Sequence, residues 1–203
     1  IPKITLTEVR RQDRLSNIPA ISAAIRNGVL PTFSYDDVVH IDINGTNAIQ
    51  KRAVSIYLEK PDETQIICAT TKMVNDINKR CVALNNSKPL KVFIEEANHY
   101  LDTEFKLHDK VMCCSNLYDH DLMNGSIGTI CQVYNVMKII NNDDNDEPLY
   151  SFGKILWDDG IEREISLDII NALRHAYAMT IHKSQGSQFK QVIIVLDKAP
   201  NID

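Results

Sequence analysis

The run Gln191-Val192-Ile193-Ile194-Val195-Leu196 is apolar almost without a break and rich in β-branched residues. That is the pattern of a strand buried on both faces of a parallel sheet, since a half-wetted strand would alternate polar and apolar side chains. A second short apolar run, Gln65-Ile66-Ile67-Cys68-Ala69, is followed by Thr70-Thr71 and then by Val74, Ile77, Cys81 and Leu84 at helical spacing. Strand, capped turn and helix make half of a βαβ unit, so the chain is predicted to be α/β in layers. Its 203 residues allow one large domain or two small ones, with ample length for a buried core.

Two further regions frame these strands. The segment Ser16-Asn17-Ile18-Pro19-Ala20-Ile21-Ser22-Ala23-Ala24-Ile25-Arg26-Asn27-Gly28 has cap candidates, an early proline, apolar residues at helical spacing and a closing glycine. It reads as a helix of about three turns. From about residue 106 to 168 the character changes: Lys110-Val111-Met112-Cys113-Cys114, Thr129-Ile130-Cys131-Gln132-Val133-Tyr134 and Ser151 to Trp157 read as strands. Between them stand the turn signals Asn124-Gly125 and Asp158-Asp159-Gly160, and Ile161-Glu162-Arg163-Glu164-Ile165 alternates. Short strands with glycine turns suggest a small β-barrel inserted into the α/β domain.

A formal net charge of -5 lends no support to a nucleic-acid partner, but binding follows local clusters, and the acid is concentrated in Asn141-Asn142-Asp143-Asp144-Asn145-Asp146-Glu147. That run is expected to be a solvated, mobile loop. Five cysteines without a C-x-x-C pair, Cys68, Cys81, Cys113, Cys114 and Cys131, point to reduced, mostly buried thiols in a cytoplasmic protein and to no metal site. Adjacent strand residues point to opposite faces, so one of Cys113 and Cys114 should be buried and the other half-exposed. No apolar run approaches the roughly 20 residues needed to cross a bilayer. Opening at Ile1 instead of methionine, the sequence reads as a fragment.

Chemistry is concentrated in Ala176-Tyr177-Ala178-Met179-Thr180-Ile181-His182-Lys183-Ser184-Gln185-Gly186-Ser187-Gln188-Phe189. If residues 176 to 180 form a strand, residues 182 to 186 lie just beyond its carboxyl end, where open α/β sheets place their binding crevices. Lys183, the hydroxyls of Thr180 and Ser184 and the amides near Gly186 suit a polyanion. The plainer reading is a polar turn that starts a helix and holds one satisfied histidine. None of the seven glycines begins a G-x-x-x-x-G-K-[ST] loop, and Ser184 lies on the wrong kind of turn for a G-x-S-x-G nucleophile. At the other end, Arg10 and Arg11 follow a strand-like segment. Such an arginine can reach a neighbour's phosphate, an effect worth roughly a thousandfold or more in rate, or simply pair with Glu8 or Asp13.

Taken in order, Leu6-Thr7-Glu8-Val9-Arg10-Arg11-Gln12, residues 65 to 85, Asp109-Lys110-Val111-Met112 with Asn124-Gly125-Ser126-Ile127-Gly128, and above all residues 177 to 189 resemble the second motor half of superfamily 1 DNA helicases. The group is that of RecD, the alpha subunit of exodeoxyribonuclease V, with TraA and Dda. The resemblance implies a RecA-like domain over 1–105 plus 170–203, with an SH3-like β-barrel inserted over 106–169. It implies ATP and Mg2+ held mainly by an N-terminal RecA-like half, single-stranded DNA as partner, and nuclease or helicase subunits in a recombination complex. By the same resemblance Arg11 serves catalysis at the γ-phosphate, Arg11, Gln12, Gly186 and Gln188 meet nucleotide, and Thr70, Thr71, Thr180, His182, Lys183 and Ser184 meet DNA. Gln188 departs from the family's usual glutamate, which meets the ribose; an amide would do so more weakly. The sequence carries neither the phosphate loop nor the magnesium-binding acids, so the chain alone is expected not to hydrolyse ATP, and 5′ to 3′ polarity belongs to the full protein. Two rivals remain: a non-catalytic interaction module whose barrel is the working part, and a structural subunit of a recombination complex.

Overall fold

The computed structural model describes residues 16–29, 31, 34–35, 37–94, 98–140 and 149–196. The segment with Arg11 and Gln12 and the acidic run from 141 to 147 lie outside the described residues. The chain divides into two compact units, 1–44 and 45–203. In the first, helix α1 (Ile18–Arg26) is followed by the antiparallel pair β1 (Ser34–Tyr35) and β2 (Val38–Val39). The expected helix is there, its first N–H donating to Ser16 Oγ at 3.3 Å, and a distant residue braces its start. Asn17 stands at the N-cap without a side-chain cap bond, and Asp37 accepts from the backbone N–H of Asn17 at 2.8 Å, from its Nδ2 at 2.9 Å and from Ser16 Oγ at 2.9 Å. The bonds from Asn17 hold the Asp37 carboxyl below its ordinary pKa.

The second unit begins with helix α2 (Thr46–Glu59), which leads into β3 (Thr64–Cys68) and α3 (Thr71–Leu84). β3 is the middle strand of a three-stranded parallel sheet, flanked by β11 (Ala178–Thr180) and β12 (Gln191–Val195). Ile66 and Cys68 on β3 and Val195 on β12 pack with Ala53, Val54 and Tyr57 of α2 and Met73, Ile77 and Cys81 of α3. Complete burial of Ile66 and Ile77 contributes about 1.5–3 kcal/mol each.

The expectation that 191–196 is buried on both faces needs correction. β12 is an edge of the described sheet, and Val192 and Ile194 are 42% and 64% exposed while Val195 is buried. The doubly buried strand is β3, which has a hydrogen-bonded neighbour on each side and whose side chains are nearly all covered. A β-branched run marks strand character, and the neighbours decide how much of it is covered.

Between α3 and β11 the chain builds an antiparallel layer. A ribbon of β4 (Pro89–Ile94) and β5 (His99–Lys106) precedes β6 (Lys110–Cys113), β7 (Ile127–Ile139), β8 (Tyr150–Trp157) and β9 (Glu162–Glu164). The short helix α4 (Leu167–Ala172), capped by Ser166 Oγ accepting from the Ile169 N–H, then leads into β10 (Leu173–His175). The sheet order is β10-β6-β7-β8-β9, with β9 and β10 at its two ends and, among the described residues, no ladder joining them. The expected closed barrel is therefore not seen. The ladder stops at two three-residue strands, and the core is completed by side chains: Leu90, Val92 and Phe105 of the ribbon and Ile169 of α4 pack with Val111, Ile130, Ile155 and Trp157. As expected of strand neighbours, Cys113 is buried and Cys114 only partly so.

β7 is bulged against β8 between Ile130 and Gln132, and Gly153 pairs with Val133 just past the bulge. A Cβ there would collide with the carbonyl oxygen of Gln132 and stand 3.3 Å from Ile165 Cδ1. Because the first obstacle is backbone, Gly153→Ala is expected to cost roughly 1–3 kcal/mol. Thermal denaturation checks this; an unchanged midpoint would show that the bulge gives way freely.

Candidate nucleic-acid interface

Parallel pairing fixes where the polar residues end up. Thr180 is the register partner of Cys68, so β11 and β3 end together, and the chain leaves both strands at one carboxyl edge. Two residues past β3, Thr70 Oγ1 accepts from the Met73 N–H at 3.2 Å and caps α3. At the end of β11, Thr180 Oγ1 accepts from the Lys183 N–H at 3.4 Å and starts the short helix α5 (Ile181–Ser184), where Ser184 Oγ donates to the Ile181 carbonyl at 2.9 Å. Thr70, Thr71, Lys72, His182 and Lys183 are exposed on this edge, and neither helix has an acidic residue in its first turn. Two capped helix starts without a first-turn acid and two basic side chains beside a histidine form a surface suited to phosphate.

The structure thus brings Thr70, Thr71, Thr180, His182, Lys183 and Ser184 to one edge. Gly186 and Gln188 lie on the loop that returns toward β12, where a φ of +89° at Gly186 favours glycine although a Cβ would meet open space. That loop forms one wall of a cleft of about 980 Å3 shared with Tyr57, Asn85, Lys110 and Trp157. Asp62, which precedes β3, and Asn85, which ends α3, also line it, so the cleft opens toward the opposite edge of the parallel sheet. Among the described residues no group of three or more His, Cys, Asp or Glu side chains could hold a metal ion, and no described helix is long and apolar enough to cross a membrane.

At the other end of β11, where α3 ends, lies a buried polar cluster that sequence reasoning did not single out as a site. Asp109 has no exposed surface. Its Oδ1 accepts from Tyr177 OH and from Asn85 Nδ2, both at 2.6 Å, and its Oδ2 accepts from the Lys106 N–H at 2.7 Å and lies 3.1 Å from His175 Nε2. Burial by itself would raise this carboxyl's pKa, but the bonds from His175, Tyr177, Asn85 and Lys106 together outweigh it and hold the group below the usual carboxylate range. Burial, reinforced by Asp109, pushes the Tyr177 phenol well above its ordinary value, so it stays a donor at neutral pH.

Further bonds fix the same crossing between the layers. Asn78 of α3 donates to the carbonyls of His175 and Ala178 and accepts from the Ala178 N–H at 2.8 Å, while Gln65 Nε2 donates to the carbonyls of Ala176 and Tyr177. Lys110 Nζ donates to the Thr64 carbonyl at 3.1 Å and sits 6.0 Å from the Tyr57 ring centre; burial pulls its ammonium pKa down. Tyr177 meets Tyr57 edge to face at 5.9 Å and stacks with His175 at 6.2 Å. Burial lifts the thiols of Cys68 and Cys81 to about 12, which leaves both unreactive at neutral pH.

Comparison with known proteins bears on this edge. Residues 175–201, which contain β11, α5 and β12, match the UvrD-like helicase C-terminal domain family. The chain also superposes on solved structures of Pif1 helicases. The Bacteroides enzyme in complex with ADP-AlF3 and ssDNA gives a TM-score of 0.55 at 18% identity over 97% of this chain and 46% of that one. The Candida albicans enzyme gives 0.50 at 18% identity over 87% and 46%, and Bacteroides Pif1 bound to ssDNA gives 0.51 at 20% identity over 94% and 45%. The chain thus spans less than half the length of these helicases. At such identity the likeness concerns the fold: a mixed α/β fold whose parallel sheet resembles a RecA-like helicase domain.

The Asp109 cluster yields a pH-dependent expectation. A carboxyl whose folded pKa is depressed contributes stability above its unfolded value of about 3.9 and loses it as pH falls through the folded value. Asp109→Asn is therefore expected to lower stability at pH 7 by roughly 1–3 kcal/mol and to flatten the loss of stability on acidification below that unfolded value. Urea unfolding at a series of pH values measures both. An acid limb as steep as the wild type's would mean that other carboxyls carry it.

Proposed function

We propose that this chain is the second motor half of a superfamily 1 DNA helicase of the RecD, TraA and Dda type. In this reading the edge formed by Thr70, Thr71, Thr180, His182, Lys183 and Ser184 grips the backbone of single-stranded DNA. The observation that carries the reading is the meeting of the two capped loops, after β3 and after β11, on one carboxyl edge free of first-turn acids. The match of residues 175–201 to a helicase C-terminal family and the fold likeness to Pif1 helicases support it.

The described residues offer no acidic cluster for Mg2+, and the sequence has no phosphate loop. Nucleotide and metal are accordingly assigned to an N-terminal RecA-like half as partner. Arg11 and Gln12, with Gly186 and Gln188, are assigned to the nucleotide side by family resemblance; this chain alone is not expected to turn over ATP. What its own residues do is hold phosphates with Lys183, with the Thr and Ser hydroxyls and with the amides of the helix starts, a grip insensitive to base sequence and sensitive to salt. The antiparallel layer, assigned to 106–169, is the SH3-type insertion of the resemblance, left open by its ladder and abutted by the 89–106 ribbon. Translocation 5′ to 3′, action beside nuclease or helicase subunits and a cytoplasmic location complete the reading; five free thiols suit a reducing compartment.

The test is fluorescence anisotropy with labelled oligo(dT). Replacing His182 and Lys183 together by alanine is expected to weaken binding about tenfold or more and to reduce the slope of log affinity against log salt by about 0.7 for each phosphate no longer neutralised. Circular dichroism guards against unfolding. Unchanged binding in the folded double variant would contradict the assignment and move the interface to the antiparallel layer.

A further inference from the structure

The chain passes from the antiparallel sheet to the parallel sheet within a few residues. His175 ends β10, which pairs with β6, and Ala178 begins β11, which pairs with β3. One buried side chain holds both flanks of that crossing: Asp109 accepts from Tyr177 OH and contacts His175 Nε2. The same carboxylate accepts from Asn85, the C-cap of α3, whose opposite end begins at Thr70. Thr180 stands three residues past Tyr177, and Lys183 Nζ reaches back to the Sγ of Cys114, the residue after β6, at 3.4 Å. The polar edge is therefore tied to the antiparallel layer at both ends of the 177–183 segment, with Asp109 as the buried tie.

We propose that Asp109 is a positioning residue. Through Tyr177 it sets the placement of residues 180–184 and couples them to the turn between β5 and β6 that carries it. The physical basis is that a desolvated carboxylate with four partners tolerates little displacement, since breaking one bond leaves a buried charge short of a donor. The DNA-binding part of this inference rests on the proposed function; the coupling does not.

The experiment compares Tyr177→Phe, which deletes one donor to Asp109 and keeps the ring, with Gly153→Ala, which strains the antiparallel layer without touching the cluster. Both are read by hydrogen exchange and by oligo(dT) anisotropy on the full chain. In Tyr177→Phe, exchange at residues 178–184 is expected to rise about tenfold relative to β7, β8 and β12. Binding should weaken about three- to tenfold with the salt slope retained, because Lys183 is intact. Gly153→Ala should do neither. Exchange that rises equally everywhere, or only as much as in Gly153→Ala, overturns the coupling and leaves Asp109 a structural group. Should Tyr177→Phe fail to fold, Asn85→Ala removes a different donor and is held to the same localised change. Absence of oligo(dT) binding in the wild type sinks the interface reading alone, since the exchange arm still decides the coupling.

Discussion

A carboxylate with no exposed surface, surrounded by a phenol, an amide, an imidazole and a backbone N–H, is the interaction on which the second unit of this chain turns. Taking a charge out of water costs several kcal/mol, and only donors in good geometry offset it. The donors reaching Asp109 come from the end of α3, from the last residue of β5 and from both flanks of the passage between sheets. No one of these elements can shift without weakening the solvation of the charge, so the cluster makes one body of two layers that share few backbone bonds. Lys110, desolvated and bonded to the Thr64 carbonyl, ties the same two layers from the side of β6.

Rigidity behind the edge is what lets a small polar surface matter. The carboxyl ends of parallel strands gather helix starts, and each start presents N–H groups that the helix itself does not use. Here two threonines, Thr70 and Thr180, spend their hydroxyls on capping and so fix the turns that carry Thr71, His182 and Lys183. The hydroxyls expected to meet phosphate directly are thus partly engaged by the chain, which shifts the weight of any grip toward Lys183, Lys72 and the backbone. The family match at 175–201 covers the turn after β11 without assigning a role to any one residue.

Much of the parallel layer is legible in the sequence because its signals are local. Ile66, Ile67 and Cys68 with Thr70 and the Val74, Ile77, Cys81 spacing announce strand, cap and helix within about twenty residues, and β3 and α3 follow them closely. α2 escapes a sequence reading because it begins at Gly45 with φ +93° and no side-chain cap, and its buried face mixes Gln50 with Ala53, Val54 and Tyr57. The ribbon's alternation of Leu90 and Val92 inward with Lys91 between them is a local signal of the same kind, although sequence reasoning did not use it. The bracing of α1 by Asp37 and the Asp109 cluster could not be read locally. Asp37 is 20 positions from Asn17, and the side-chain partners of Asp109 lie 24, 66 and 68 positions away, so only the fold brings them together.

The central claim, that the edge shared by β3 and β11 is a single-stranded DNA interface, is tested most directly by mapping where oligo(dT) protects the backbone from hydrogen exchange. The account predicts protection confined to residues 70–73 and 180–186, lost at high salt together with binding. Protection confined to β7 and β8, with residues 180–186 exchanging as in the free chain, would contradict it and place the working surface on the antiparallel layer.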